Sequence, residues 1–208
     1  MYSHQQLINL LIQEGYLKSP AIIKAFKKID RADFVSPETL NEAYGNYPLP
    51  IGLGQTISQP ATVAFMLELL QAQAGDKVLD VGSGSGWQTA LLAELVGPKG
   101  QVIGLEIKDE LVKLAQDNLV NYNYQNIKLV KGNGWQGLPD EAPFDKIIIA
   151  AAASEVPQAL KEQLSESGRL IAPIGQGSQD IVVIDKISQN RFKETRYPGF
   201  VFVPLVDN

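Results

Sequence analysis

The chain has 208 residues, 45% of them hydrophobic and 20% charged, and a formal net charge of -5. That size supports one domain with a substantial core, and the acidic balance argues against broad nucleic-acid binding, which requires a basic face. There is no cysteine and one histidine, His4, so disulfides, Cys-ligated metal and chemistry built on a central histidine are excluded; His4 is expected to be a solvated surface side chain.

Leu7, Ile8, Leu10 and Leu11 recur at helical spacing within residues 3–15, and Gly15 ends that helix. Ser19 as N-cap and Pro20 as first helical residue open a second helix, with Ile22, Ile23, Phe26 and Ile29 on its apolar side. Residues 30–60 are rich in Pro, Gly, Asn and Tyr without a sustained period and predict an ordered loop region. Within it, LPIGLGQTISQP (49–60) carries no charge, unlike a solvated linker, and is expected to be held against something. ATVAFMLELLQA follows as an amphipathic helix.

From Lys77 short apolar runs alternate with helices. KVLDV, QVIGLE, IKLV, KIIIAA and RLIAPIG are strand candidates, the first four as buried strands, separated by helices near 87–96, 109–121 and 155–163 and by a loop between 131 and 144. This alternation predicts an α/β fold, a doubly wound, mostly parallel sheet with helices on both faces. DIVVIDKIS, RFKETRY and FVFVPLV are expected to follow as antiparallel strands.

VLDVGSGSGWQTALLAELV is a strand, a glycine-rich turn and a helix. Gly82, Gly84 and Gly86 allow a sharp turn and close approach of a ligand, and the helix from Trp87 points its amides at that turn. The spacing is G-x-G-x-G, with Trp87 where a dinucleotide fingerprint has its third glycine. Asp80 precedes the loop, and Glu106 ends the next strand, where a carboxylate accepts from ribose hydroxyls. These features favour S-adenosylmethionine over NAD; a purely structural loop is the bland alternative. Asn133 and Gly134, after the third strand, are positioned to read an adenine amine, with Trp135 covering the ring, although Asn-Gly is also a common turn pair.

PLPIGLGQTISQPATVAFMLELL, VLDVGSGSGWQTALLA, GNGWQGLPDEAPFDKIII and FVPLV together resemble the protein-L-isoaspartate (D-aspartate) O-methyltransferases, in order from about residue 5 to 206. The resemblance implies a class I, Rossmann-like methyltransferase that uses S-adenosylmethionine, releases S-adenosylhomocysteine, and methylates the α-carboxyl of L-isoaspartyl residues in damaged proteins and peptides. The ester then closes to a succinimide that reopens partly to aspartate. It implies one domain over 1–208, with a helical and loop cap at 1–72 and the core with its C-terminal strands at 73–208. By the same resemblance Ser58 is the catalytic residue, orienting substrate or cofactor; capping of the following helix is its structural alternative. The implied cofactor set is Gln55, Thr56, Ile57, Ser58, Asp80, Gly82, Ser83, Gly84, Ser85, Gly86, Glu106, Ile107, Asn133, Gly134 and Trp135, with no metal. A carboxylate nucleophile is already ionised at neutral pH, so the chemistry needs no general base.

Three positions depart from the family pattern: Asn133 for Asp, Ala150 for Thr, and Val201 for the Arg before FVPL, a basic group that Arg196 or Arg31 would have to replace. They leave a small-molecule acceptor, or a cofactor-binding relative with little activity, as the alternatives. No apolar run reaches the ~20 residues of a membrane span, and MYSHQQLINLL does not read as a secretory signal. A cytoplasmic monomer with no nucleic-acid or membrane partner is expected.

Overall fold

Ordered by chain, the helices and strands are α1 (His4–Gln13), α2 (Pro20–Lys28), β1 (Leu49–Gly52), β2 (Gln55–Ile57), α3 (Pro60–Leu70), β3 (Lys77–Val81), α4 (Trp87–Val96), β4 (Gln101–Glu106), α5 (Asp109–Leu119), β5 (Ile127–Lys131), β6 (Phe144–Ile149), α6 (Gln158–Glu162), β7 (Leu164–Ile174), β8 (Gln179–Ser188) and β9 (Arg191–Phe200). The computed structural model describes residues 2–207; Met1 and Asn208, the outermost residues of the expected domain, lie outside them.

The main sheet has seven strands in the order β5-β4-β3-β6-β7-β8-β9. Pairing is parallel from β5 through β7 and antiparallel from β7 to β9. This is the expected doubly wound arrangement, with the order reversing direction around β3. Pleating sends Val78, Val102 and Ile148 to one face, against α1 to α4, and Leu79, Ile103, Ile147 and Ile149 to the other, against α6. The N-terminal helices therefore share one apolar cluster with the sheet.

Several local expectations need correction. β5 is an edge strand, only half-buried, with Lys128 and Lys131 facing solvent. FVFVPLV is not a strand: beyond β9 the chain runs extended, joined to the segment after β6 by a single parallel bridge between Pro204 and Ala152. The 30–60 region is more structured than a loop, holding tight helical turns at Arg31–Phe34 and Pro37–Glu42 and the β1–β2 hairpin. Ser19 does stand at the N-cap of α2, but its hydroxyl donates to Glu68 Oε2 at 2.6 Å and caps no amide. Glu68 Oε1 instead accepts the N–H groups of Lys18 and Ser19, so a carboxylate from α3 serves the start of α2. His4 is not simply solvated: it bonds the Phe26 carbonyl at 2.8 Å and stacks on Tyr44.

Candidate active site

The reversal of strand order leaves a gap at the carboxyl ends of β3, β4, β5 and β6. A cleft partly open to solvent occupies it. Its walls come from the loop after β3, the end of β4, Gly132 and Gly134 after β5, Ala150 and Ala151 after β6, the hairpin, and Val203–Val206 from the C-terminal segment.

The glycine loop is held in place from β4. Gly82, Gly84 and Gly86 have φ of 79°, 53° and 88°, a left-handed conformation costly to other residues. The N–H groups of Gly82 and Ser83 both donate to the Leu105 carbonyl, at 2.8 and 3.2 Å. Glu106, 7% exposed, takes the Gly84 N–H on Oε2 at 3.1 Å and those of Ile107 and Lys108 on Oε1 at 2.9 and 3.1 Å. Three amides thus orient one buried carboxylate at the cleft wall and leave Oε2 an open lone pair.

Gly134 is a position of close approach. A Cβ there would stand 2.7 Å from Val81 Cγ1 and 2.8 Å from Leu205 Cδ1. The chain after β5 is therefore pressed between β3 and the C-terminal segment, which narrows that end of the cleft.

The hairpin forms the opposite wall. Its turn residues Leu53 and Gly54 both have positive φ, 54° and 74°, the twist that a two-residue hairpin loop requires. Ile51, Gln55, Thr56, Ile57 and Ser58 face the cleft, and the Ile51 side chain rests on Gly84. Ser58 does not cap α3: Asn46 does, its Oδ1 accepting the Ala61 N–H at 3.0 Å while its carbonyl accepts from Gln59 Nε2 at 2.9 Å. No bond to the helix ties up the Ser58 hydroxyl.

Of the expected residues, Gln55, Thr56, Ile57, Ser58, Gly82, Ser83, Gly84, Ser85, Glu106, Ile107 and Gly134 line the cleft. Asp80, Gly86, Asn133 and Trp135 do not. Asp80 sits on the α4 side of β3, fully buried, accepting from Gln88 Nε2 at 2.7 Å and Thr89 Oγ1 at 2.6 Å. Burial pushes its carboxyl up to about 6, against the lowering effect of those two donors. Gly86 packs against Ala115 and Leu119 of α5. Asn133 spends its carboxamide on the chain itself, accepting from the Trp135 N–H and donating to the Asp207 carbonyl and carboxylate at 2.8 and 2.7 Å. The Trp135 indole donates to the Leu205 carbonyl at 3.2 Å and supports the C-terminal wall from behind.

The sequence reading missed Ile51, Val63, Trp87, Gln88, Lys108, Ala150, Ala151 and Val203–Val206 as cleft residues. Lys108, two residues after Glu106, is the one charged residue among them; its Nζ reaches the Leu53 carbonyl at 3.1 Å. Neither arginine replaces the basic group absent at Val201. Arg196 is paired with Glu194 and Asp180 on the surface, and Arg31 is buried among main-chain carbonyls.

The lining fits an adenosine carrying an amino-acid tail. Glu106 offers a fixed acceptor for ribose hydroxyls, and the N-terminus of α4, whose Trp87 and Gln88 line the cleft, favours a carboxylate there. Two buried polar atoms of cleft-lining residues, Ser83 Oγ and Trp87 Nε1, have no hydrogen-bond partner within the protein.

Comparison with known proteins agrees with this geometry. Residues 2–208 match the family described as protein-L-isoaspartate(D-aspartate) O-methyltransferase. A protein-L-isoaspartate O-methyltransferase of Methanopyrus kandleri is 40% identical over 206 residues, covering 98% of this chain and 91% of that protein. One of Aeropyrum pernix is 44% identical over 203 residues, covering 97% and 78%. Among solved structures, a Plasmodium falciparum chain described as a protein-L-isoaspartate O-methyltransferase, crystallised with S-adenosyl-L-homocysteine, superposes with a TM-score of 0.90 at 28% identity and full coverage of both chains.

Proposed function

The chain belongs to the protein-L-isoaspartate(D-aspartate) O-methyltransferase family, and from that premise we propose that its cleft is where L-isoaspartyl residues of proteins and peptides are methylated with S-adenosylmethionine. The observation that supports the site most strongly is the convergence of Gln55–Ser58, the glycine loop and Glu106 on one cleft. When bound, the cofactor supplies an electrophilic sulfonium methyl group.

Glu106 takes the ribose end, fixed by its three amides, while Gly82–Ser85 and the start of α4 receive the tail. Ile107 and Leu205 offer apolar surface to the base. The hairpin wall excludes water and Ser58 orients the acceptor carboxylate. That acceptor is ionised at neutral pH, so no side chain has to remove a proton. Catalysis then rests on holding the nucleophile in line and on desolvating it, which the uncharged hairpin serves. No His/Cys/Asp/Glu group able to hold a metal occurs among the described residues, and none of their helices is long and apolar enough to cross a membrane. The acidic charge supports a protein rather than nucleic-acid acceptor, and a cytoplasmic monomer is the reading that goes with it.

The test is transfer of labelled methyl to an isoaspartyl peptide, with its aspartyl twin as control. Base-labile label in the isoaspartyl peptide alone is expected. Equal labelling of the two, or none, overturns the reading.

A further inference from the structure

Arg31 is 1% exposed and no carboxylate is among its partners. Its guanidinium donates instead to four main-chain carbonyls: Nη1 to Ala43 at 2.8 Å and Gly45 at 3.2 Å, Nη2 to Tyr47 at 3.0 Å and Ser58 at 3.1 Å. Its Cζ lies over the Trp87 ring, 5.4 Å from the centroid, and Nε has no partner. Burial lowers its pKa to about 10, which leaves it charged at neutral pH.

A buried charge satisfied only by carbonyls is a costly choice for mere packing. The carbonyls it gathers have a common feature. Three belong to the 43–47 segment, whose Asn46 caps α3, and the fourth belongs to Ser58 in the cleft wall. Trp87, under the guanidinium, starts the helix that follows the glycine loop and lines the same cleft. One side chain thus joins the Ser58 backbone, the cap of the next helix and the cofactor loop. A rigid fork with donors on two nitrogens spans these acceptors; a lysine ammonium, donating from one point, does not.

We propose that Arg31 is a positioning residue for methyl transfer: by holding the Ser58 carbonyl on its guanidinium, it fixes where the Ser58 hydroxyl meets the acceptor carboxylate. It touches neither substrate nor cofactor. This role rests on the methyl transfer proposed above.

The experiment uses the full chain with Arg31→Lys and Arg31→Ala, and Arg169→Ala as control. Arg169 also donates to a main-chain carbonyl, that of Leu69 at 2.7 Å, and pairs with Asp185 outside the cleft. The readouts are kcat and KM on an isoaspartyl peptide, the Kd for S-adenosylhomocysteine, and amide hydrogen exchange across residues 55–59. Both Arg31 variants are expected to lose about tenfold or more in kcat with Kd changed no more than about threefold, and to exchange faster at 55–59. Arg169→Ala is expected to lower the melting temperature while keeping kcat within about twofold. Should Arg31→Ala not fold, the lysine variant carries the comparison. Unchanged kcat, a loss matched by the control, or unchanged exchange at 55–59 overturns the proposal. If the wild type labels no isoaspartyl peptide, the functional reading fails, and the exchange at 55–59 alone decides whether Arg31 positions Ser58.

Discussion

The Gly84 N–H donates to Glu106 Oε2 at 3.1 Å, tying the middle of the glycine loop to the acidic end of the neighbouring strand. The proposed cofactor loop and the carboxylate proposed to take the ribose are therefore one hydrogen-bonded unit. Replacing Glu106 by Gln keeps an acceptor for Ile107 and Lys108 but turns an amide donor toward Gly84. Hydrogen bonds to charged groups contribute roughly 1.5–3 kcal/mol. Calorimetry is expected to find S-adenosylhomocysteine affinity about 10- to 100-fold weaker in Glu106→Gln; an unchanged affinity contradicts the ribose assignment.

Asp80 gives a pH dependence. Its folded pKa is raised from 3.8 to about 6 by burial, so the native state holds its proton more tightly than the unfolded chain does. The stability this contributes is complete below about pH 4 and is lost as pH rises through 6, a total of roughly 3 kcal/mol. Asp80→Asn does not titrate there. Urea unfolding of the two proteins at several pH values is expected to find the variant gaining on the wild type between about pH 4 and 7, and a constant difference would refute this.

Asn133 and Asp207 form a matched pair, Nδ2 to Oδ1 at 2.7 Å. Asn133→Asp sets two carboxylates against each other and loosens the segment carrying Val203–Val206. Because the pair is exposed, the effect is small: cofactor affinity is expected to fall about three- to fivefold. Asp207→Asn in the same chain is expected to restore it, and additive losses in the double variant would show that the pair does not act as one.

Leu53 holds the hairpin turn at φ 54° with a branched side chain that is 48% exposed. Asn tolerates this conformation far better. Leu53→Asn is expected to stabilise the fold by about 1 kcal/mol in urea unfolding; destabilisation would mean that the leucine side chain matters more than the backbone strain.

The parts of the site visible in the sequence are those made by short-range chemistry. A strand, a glycine turn and a helix must fold as they do in β3 and α4, and a carboxylate ending β4 must stand beside that turn. The place of Asp80 in the chain points to the cleft, whereas strand alternation puts Val81 on the cleft and Asp80 opposite, toward Gln88 and Thr89. The hairpin at 49–57 was illegible because Pro, Gly and a left-handed Leu53 erase the period of two. Ala150, Ala151 and Val203–Val206 have side chains without chemical signal, and they meet only through long-range bonds such as Ala152 N–H to the Val203 carbonyl at 2.7 Å. Arg31 read as a spare cation for the substrate; its burial among carbonyls became visible only with the loop folded around it.

Methyl transfer is proposed to take place at the wall formed by Ser58. The most direct measurement is single-turnover methyl transfer from saturating S-adenosylmethionine to an isoaspartyl peptide in Ser58→Ala and wild type. A rate at least about tenfold slower in the variant is expected, with S-adenosylhomocysteine affinity within about threefold. An unchanged rate in Ser58→Ala would contradict it.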